Sequence, residues 1–270
     1  MPEGPEVRRM SEGLAKRISA KLLTDAEVLG GKWLRFPIKG LDVLQQKLME
    51  APQPVEWVKV RGKFIYSKMG EDLFMWNSLG MSGGWRDQRG KHAHFVFRFS
   101  DGSEVFFDDV RRFGNIEFLN FEKLLKKLET VGPDMLNSDV SFELFYSRIS
   151  KNPNKNICKA LMDQKVISGV GNYIKSEALY RAGISPHHNV KDIPQQKLED
   201  LCVWIKAICR KSYEQGGATL STYTDMDNNV GNFVFSFFVY RKDADPLGNK
   251  VVHEVTDDGR MTHWVPEIQN

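Results

Sequence analysis

Two kinds of sequence pattern divide this chain, and their order limits the folds that it can adopt. Between residues 55 and 119, short runs of β-branched and aromatic residues are separated by turn signals such as Asp101-Gly102. Between residues 142 and 213, apolar residues recur at the three- and four-residue steps that are typical of helices. Strands followed by helices indicate an α+β fold in which an antiparallel β-sandwich precedes a helical domain.

The predicted elements divide this α+β fold into three parts. Residues 3–19 carry apolar side chains at helical steps, and a breaker at residues 130–138 separates the strands from the helices. We therefore predict an N-terminal domain over residues 1–131, a helical domain over 132–230 and a hairpin over 231–270. The predicted strands cover residues 55–60, 64–69, 73–76, 94–99, 105–107, 116–119, 233–240, 251–255 and 261–265. The predicted helices of the second domain cover residues 142–149, 156–162, 172–182 and 194–213.

The first residues offer an unusual nucleophile. Removal of Met1 leaves Pro2 with a secondary amine, which is directly followed by the carboxylate of Glu3. An α-amino group has a pKa of roughly 7.7 to 8.0, so a useful fraction is neutral at physiological pH. Such an amine forms a Schiff base without the desolvation that a lysine requires. The alternative is that Pro2 only starts a helix, whose dipole the acidic residues complement.

Composition restricts the classes of function. The chain is 41% hydrophobic and 27% charged, and no apolar run reaches the ~20 residues that span a bilayer. Basic residues interrupt the region where a signal peptide would lie, so we expect an intracellular protein, nuclear in a eukaryote and cytoplasmic in a bacterium. The three cysteines lack paired spacing and are expected to be reduced. A net charge of +3 favours a polyanion only where it clusters, as in residues 151–165.

The segment Gly169-Val170-Gly171-Asn172 opens the first helix of a helix, two-turn, helix unit, whose joint lies at residues 183–186. Free amides at such a helix start can bind phosphate, but a tight turn explains a lone Gly-x-Gly equally well. The segment lacks the Lys and the Ser or Thr that end a phosphoryl-transfer loop, which argues against that class of enzyme.

These segments occur together in the order in which they occur in a known family. The chain resembles the formamidopyrimidine-DNA glycosylase and endonuclease VIII family over nearly its whole length. Each shared segment is short, but the ordered set is specific. The matching segments are Pro2-Glu3-Gly4-Pro5-Glu6, Arg61-Gly62-Lys63, Leu79-Gly80-Met81-Ser82-Gly83, Lys91-His92-Ala93-His94, Asp109-Val110-Arg111-Arg112-Phe113-Gly114, Leu161-Met162-Asp163, Gly169-Val170-Gly171-Asn172 and Gly216-Gly217.

The resemblance implies a bifunctional DNA glycosylase and abasic-site lyase of base excision repair that needs no cofactor. Pro2 matches the nucleophile that attacks C1′ of the damaged nucleotide, and Glu3 matches the acid that protonates the sugar oxygen or the departing base. Attack by the Pro2 amine and loss of the base leave an iminium between Pro2 and C1′, which acidifies the C2′ proton. β- and δ-elimination can then cut the strand. Lys63 matches a phosphate-binding lysine that assists elimination. Arg260 matches a finger arginine that grips phosphates around the everted nucleotide.

The resemblance also implies DNA-binding and void-filling roles. Met81, Arg111 and Phe113 match residues that fill the space left by a base flipped out of the duplex, where they replace lost stacking and pair with the orphaned base. Taken singly, Met81 is better explained as a core residue. The alternative for Lys63 is a surface charge beside a turn. The matching backbone-binding residues are His92, Arg111, Lys155 and Asn172. The matching supporting residues are Glu6 and Glu177, of which Glu177 would help to hold the N-terminus.

One departure from the family concerns the C-terminal finger. The usual finger binds zinc through four cysteines, but this chain has no cysteine after Cys209. His253 and His263 cannot complete a tetrahedral site by themselves. We therefore expect a zincless hairpin finger, with no metal, that carries Arg260 in its turn.

The expected partner is double-stranded DNA containing oxidised bases or abasic sites, bound by a monomer and away from any membrane. Gly4 resembles the endonuclease VIII branch, which favours oxidised pyrimidines, whereas Met81, Arg111 and Phe113 resemble the formamidopyrimidine branch. We expect action on formamidopyrimidines, oxidised pyrimidines and abasic sites, and weak action on 8-oxoguanine. The polar loop at residues 218–232 occupies the region that can cap an everted base. The alternative function is a noncatalytic damaged-DNA-binding protein on the same scaffold.

Overall fold

The computed structural model describes residues 2–218 and 224–270, and these residues form two compact units. The first unit holds Pro2 and residues 6–130 and 224–230. The second unit holds residues 3–5, 131–218 and 231–270. The predicted division into three domains stays a prediction. No helix among the described residues is long and apolar enough to cross a membrane.

The predicted N-terminal helix is confirmed. It is α1 (Gly4–Ile18), and its apolar residues at three- and four-residue steps are buried in the core. Two helices of the first unit, α2 (Leu41–Glu50) and α3 (Phe121–Thr130), were not predicted. The buried residues that α1 contributes are Val7, Met10, Leu14 and Ile18.

Eight antiparallel strands form the sheet of the first unit, in the order β5-β7-β6-β1-β2-β3-β4-β8. Strands β1 and β2 pair only where Leu22 and Leu23 face Pro54 and Gln53, so the sheet consists of two four-stranded halves. The strands are β1 (Leu22–Val28), β2 (Gln53–Arg61), β3 (Phe64–Met69), β4 (Phe74–Ser78), β5 (Gly83–Arg86), β6 (Ala93–Phe99), β7 (Glu104–Asp109) and β8 (Asn115–Leu119).

The two halves of the sheet share one aromatic core. The rings of Phe95 and Phe97 on β6 each lie 6.3 Å from the ring of Phe118 on β8, which belongs to the other half. Helix α1 closes this core, because Met10 accepts a hydrogen bond from the backbone of Trp85 on β5 at 3.3 Å. The α+β fold with an N-terminal helix and an antiparallel sheet is therefore confirmed.

The second unit combines four helices with a hairpin, as predicted. The helices are α4 (Phe142–Ile149), α5 (Ile157–Met162), α6 (Asn172–Arg181) and α7 (Gln195–Glu214). The hairpin pairs β9 (Val252–Val255) with β10 (Met261–Trp264), and its turn holds Arg260. Helix α6 is buried from Tyr173 to Tyr180 because it packs against both α7 and β10.

The prediction of a strand at residues 233–240 is wrong. Residues Phe233–Ser236 form a short 3-10 helix, and the following backbone amides donate to a buried carboxylate instead of a neighbouring strand. The aromatic run is typical of a strand, but its rings pack around Tyr173 on α6. Strand β1 was missed because its exposed acidic residues hide the alternation, and β5 was missed because it begins with two glycines.

A buried histidine on β10 makes stability depend on pH. Burial lowers the pKa of His263 to about 4 from its ordinary 6.5, and the charges of His253, Arg241 and Lys175 act in the same direction. The unfolded chain takes up this proton as the pH falls below 6.5, whereas the folded protein takes it up only near pH 4. The contribution of His263 to stability is therefore full above pH 6.5 and is lost as the pH falls from 6.5 to about 4.

We expect His263→Phe to remove part of this acid sensitivity. The wild type loses unfolding free energy between pH 6.5 and pH 4, and this loss should be smaller in the variant by on the order of 3 kcal/mol. Phenylalanine takes up no proton, so proton uptake at residue 263 no longer favours the unfolded chain over the folded protein. Urea unfolding midpoints measured at closely spaced pH values test this. An acid sensitivity that is the same in the variant and the wild type would contradict it.

Candidate functional site

Glu3 is a buried carboxylate held at the start of a helix. Its side chain is 2% exposed. Its Oε1 accepts a hydrogen bond from the backbone of Tyr173 at 2.9 Å, and its Oε2 accepts one from Ile174 at 3.3 Å. Both amides belong to the first turn of α6, where the helix dipole also favours negative charge. The carboxylate is thereby fixed one residue from Pro2.

The Gly-Val-Gly-Asn segment is shaped to receive the N-terminal residues. The backbone of Gly4 donates to the carbonyl of Gly169 at 2.8 Å. An ideal Cβ at Gly171 would overlap the carboxyl group of Glu3, although the backbone of Gly171 is extended and unstrained. Close approach of Glu3 therefore explains Gly171. Gly169 has a φ of 92°, in the left-handed region that favours glycine, which agrees with a tight turn before the helix.

Asn172 begins α6 and contacts the hairpin. Its amide nitrogen donates to the carbonyl of Met261 at 2.8 Å, directly after Arg260 in the chain. Arg260 is exposed in the turn between β9 and β10. An exposed guanidinium beside an anchored strand is suited to bind an anion such as a phosphate. The predicted DNA-binding roles of both residues stay predictions.

Glu177 organises the residues that follow α7. Its carboxylate is fully buried and accepts hydrogen bonds from the backbone amides of Phe238, Val239 and Tyr240 at 2.8–3.0 Å. It also lies 3.4 Å from the guanidinium of Arg181. Support of the N-terminus is not among these contacts, so that role stays a prediction.

Lys155 lies on the lysine-rich stretch, where the structure gives it an ionic partner. Its ammonium is 2.7 Å from the carboxylate of Asp163, and its side chain is 26% exposed. The pairing offsets the charge of Lys155, so it is a weaker candidate for phosphate binding than Arg260. Its DNA-binding role stays a prediction.

In the first unit, a buried aspartate holds the loop that carries Arg111 and Phe113. Asp109, which is 1% exposed, accepts hydrogen bonds from Ser82 Oγ at 2.6 Å, from Arg111 N at 3.2 Å and from Gly114 N at 2.7 Å. Ser82 in turn accepts a bond from Arg111 N at 2.9 Å. Asp109 therefore fixes both ends of the loop.

The same contacts bring Met81 to this loop. Met81 is half-buried and directly precedes Ser82, and an ideal Cβ on the preceding Gly80 would lie 2.5 Å from the backbone nitrogen of Gly114. The Phe113 ring is 58% exposed, and the Arg111 guanidinium lies 5.1 Å from its centre. The structure thus places the three predicted void-filling residues on two adjacent loops. Sequence reasoning missed Asp109 and Ser82, although both lie inside the matching segments.

The remaining predicted residues of the first unit lie on separate elements. Lys63 is half-buried in the turn between β2 and β3. His92 is half-buried before β6, and its backbone amide donates to Asp108 at 3.2 Å. Pro2 is buried, and Glu6 is buried in the first turn of α1. The expected removal of Met1 concerns a residue outside the described part of the chain.

Residues 219–223 of the predicted capping loop also lie outside the described residues. The part from 224 to 230 is tied to α1 by two ion pairs. Arg9 contacts the carboxylate of Asp225 at 2.8 Å, and Arg17 contacts Asp227 at 2.7 Å. Asp225 also accepts bonds from the backbone of residues 227 and 229. These contacts fix one end of the loop.

We expect Asp109→Asn to loosen the void-filling loop. The NH₂ group of the asparagine side chain faces groups that donate to Asp109 in the wild type. The buried network therefore loses at least one hydrogen bond, which costs about 1–3 kcal/mol of stability. The affinity for a duplex with an abasic-site analogue should fall roughly ten-fold. Equilibrium binding measures it.

Asp101→Asn is the matched control for this variant. Asp101 also holds a turn by accepting bonds from the backbone and hydroxyl of Ser103, but that turn joins β6 to β7. The control should bind the duplex as the wild type does. Equal losses in the two variants would contradict the assignment of Asp109 to the void-filling loop.

Among residues 2–218 and 224–270, no three His, Cys, Asp or Glu side chains are grouped so that they could hold a metal ion.

Comparisons with known proteins agree over the whole chain. Residues 1–116 match the formamidopyrimidine-DNA glycosylase N-terminal domain, residues 131–224 its H2TH domain and residues 227–270 its C-terminal domain. The chain is 34% identical over 280 residues to a formamidopyrimidine-DNA glycosylase of Wolbachia sp. subsp. Drosophila simulans (strain wRi), covering 100% of both chains. It is 35% identical over 245 residues to one from Acinetobacter baumannii (strain SDF), covering 89% and 86%.

Solved structures give the same result. A Lactococcus lactis FPG variant in complex with a Fapy-dG containing DNA has a TM-score of 0.88 and 25% identity, with 100% of both chains covered. A structure of MutM with carbocyclic 8-oxo-G containing DNA has a TM-score of 0.87 and 25% identity, again over 100% of both chains.

Proposed function

The chain belongs to the formamidopyrimidine-DNA glycosylase family, and from this membership we propose how its residues act on damaged DNA. It is a DNA glycosylase and abasic-site lyase that acts on DNA containing oxidised bases. In the proposed mechanism, the amine of Pro2 is the nucleophile for both reactions and Glu3 is the acid. Removal of Met1 is a condition of this mechanism, and the intact mass of the active protein tests it.

The observation that carries the mechanism is the position of Glu3. Its carboxylate is buried and held by two amides of α6, and the peptide bond to Pro2 keeps it next to the N-terminal amine. A carboxyl group fixed beside an amine can, in its protonated form, give a proton to the leaving group while the amine attacks. Gly171 supports this role because it makes room for the carboxyl group of Glu3, and the carbonyl of Gly169 holds the next residue by accepting from Gly4 N at 2.8 Å.

The proposed reaction begins with attack of the Pro2 nitrogen on C1′ of the damaged nucleotide. The bond from C1′ to the base breaks, and the base leaves with the bonding electrons and takes a proton. The attacking nitrogen then releases its own proton, and its lone pair opens the sugar ring. Ring opening places the electrons of the bond from C1′ to O4′ on O4′, which takes a proton, and leaves an iminium between C1′ and Pro2. Glu3 supplies the proton to the sugar oxygen or to the departing base.

The iminium then makes strand cleavage possible. It withdraws electrons from C2′, so loss of the C2′ proton breaks the bond from C3′ to its phosphate oxygen. A second elimination, with loss of the C4′ proton, breaks the bond from C5′ to the other phosphate. We assign Lys63 to assist elimination and to bind phosphate, and Arg260 to grip phosphates, since both carry the positive charge that these steps need.

We assign the DNA contacts to both compact units. In the first unit, His92 and Arg111 bind backbone, and Met81, Arg111 and Phe113 fill the space left by the everted base. In the second unit, Asn172, Lys155 and Arg260 bind backbone. We also propose that the finger is zincless, since the chain has no cysteine after Cys209, and that the protein acts as a monomer.

Cleavage of defined duplexes tests the proposed function. One strand carries a single formamidopyrimidine, an oxidised pyrimidine, 8-oxoguanine opposite cytosine or an abasic site, and an undamaged duplex is the control. We expect cleavage at the first two lesions and at the abasic site, with phosphate left on both new ends, and weak cleavage at 8-oxoguanine. Tight binding to damaged duplexes without cleavage would favour the alternative, a noncatalytic damaged-DNA-binding protein.

A further inference from the structure

A fully buried lysine connects α6 to the turn of the hairpin. The side chain of Lys175 is 0% exposed, and its ammonium lies 2.6 Å from Asp258 Oδ2 and 2.8 Å from Thr262 Oγ1. The hydroxyl of Thr256 lies 2.7 Å from Asp258 Oδ1 and 2.6 Å from Thr262 Oγ1. These four side chains form a closed hydrogen-bonded ring, which we call the Lys175 ring.

The Lys175 ring holds the turn on both sides of Arg260. Asp258 precedes Arg260 by two residues, and Thr262 follows it by two. Two backbone bonds close the turn, from Gly259 N to the carbonyl of Thr256 at 2.8 Å and from Thr256 N to the carbonyl of Arg260 at 3.1 Å. The backbone of Arg260 is therefore fixed, while its side chain is exposed.

The charges in the ring are matched. Burial alone raises the pKa of Asp258, but the Lys175 ammonium and the Thr256 hydroxyl outweigh it and hold the pKa below its ordinary value. Burial raises the pKa of the nearby Cys158 thiol to about 11, although Lys175 opposes the change. The thiol therefore stays neutral, and Asp258 supplies a negative charge that faces the ammonium at 2.6 Å.

Matched buried charges fix geometry more than they add stability. Removing two charges from water is costly, and an apolar pair of similar volume is often as stable or more so. The best-attested benefit of such a pair is that it specifies one arrangement of the elements that it joins. Here those elements are α6, which also binds Glu3 at its first turn, and the turn that carries Arg260.

We propose that Lys175 is a positioning residue for Arg260, and that the Lys175 ring sets the turn of the finger by an ion pair and hydroxyl groups. This inference rests on the proposed role of Arg260 in binding DNA phosphate. A displaced turn would leave Arg260 charged and exposed but directed away from its phosphate. Loss of the ring should therefore have the same effect on DNA binding as loss of the guanidinium.

A double-mutant cycle tests this inference. Affinity is measured by equilibrium binding to a duplex that contains a non-cleavable abasic-site analogue, which separates binding from catalysis. We expect Arg260→Ala and Lys175→Met each to weaken binding roughly ten-fold. The variant with both substitutions should bind no more weakly than Arg260→Ala, because Lys175 acts only through Arg260.

Further variants separate positioning from folding. The pair Lys175→Met with Asp258→Leu removes both charges, so it should keep the wild-type thermal midpoint within a few degrees and still lose the same ten-fold in affinity. Lys126→Met is the control, since Lys126 pairs with Glu122 of α3 at 2.6 Å but is exposed and lies outside the finger and the lysine-rich stretch. Its affinity should change by less than two-fold.

Two outcomes would overturn the proposal in different ways. If the two losses of affinity multiply in the variant with both Lys175→Met and Arg260→Ala, Lys175 acts independently of Arg260. The proposed role of Arg260 would then stand. An unchanged affinity in Arg260→Ala would overturn the role of Arg260 and the positioning role of Lys175 together.

Discussion

Glu3→Gln will lose excision of damaged bases and keep reaction with abasic DNA. The amide matches the carboxylate in size but cannot transfer a proton, and general acid catalysis contributes typically 10²–10⁴-fold to the rate. Excision of a formamidopyrimidine should therefore slow by about that factor. An abasic site has no base to release, so Pro2 can still form the imine there. Single-turnover cleavage of the two duplexes measures both rates.

The comparison of the two substrates also controls for folding. In the amide variant, one side-chain group still accepts a bond from α6, but the NH₂ group faces an amide donor of Tyr173 or Ile174. Some loss of stability is therefore expected. A variant that loses both reactions in the same proportion has lost the shape of the site. A variant that keeps both rates would exclude Glu3 as the acid.

Gly171→Ala should lower base excision nearly as far as Glu3→Gln, although residue 171 carries no chemistry. The added methyl group overlaps the carboxyl group of Glu3, and the backbone of the first turn of α6 leaves it little freedom to move away. A displacement of about 1 Å in a catalytic group can cost on the order of 10²-fold in rate. Single-turnover excision and the thermal midpoint should be measured together.

Gly30→Ala is the matched control for this substitution. Gly30 also has an extended backbone, with φ of 166°, but a Cβ there would meet its nearest atom, Nδ1 of His94, at an ordinary 3.7 Å. We expect the control to keep the wild-type excision rate. If Gly171→Ala excises at the wild-type rate, the close packing of Glu3 against Gly171 is not what positions the acid.

The sequence was most informative where one side of an element faces the core. Helix α1 shows a clear helical spacing of apolar residues, and β3 shows the alternation of a half-buried strand, so both were predicted closely. Strand β1 carries Asp25 and Glu27, whose pairing with Arg98 of β6 is visible only in the folded sheet. Sequence alone does not supply such a partner.

The site follows the same rule. Glu3, Asn172 and Arg260 were chosen because they match motifs, and the structure gives two of them defined contacts on α6 and the hairpin. Asp109 and Lys175 were missed because their roles depend on neighbours that are distant in sequence. Asp109 acts through Ser82, and Lys175 acts through residues more than eighty positions later. In the sequence, Lys175 is a lysine within a predicted helix, and only the structure shows that this helix is buried.

Borohydride trapping followed by peptide mapping tests the central claim most directly. Wild-type protein is mixed with a duplex containing an abasic site, the imine is reduced to a stable bond, and mass spectrometry locates the attached sugar after digestion. We predict that the sugar is attached to the nitrogen of Pro2 in a peptide that lacks Met1. Attachment to a lysine such as Lys63, or active protein that retains Met1, would contradict the account.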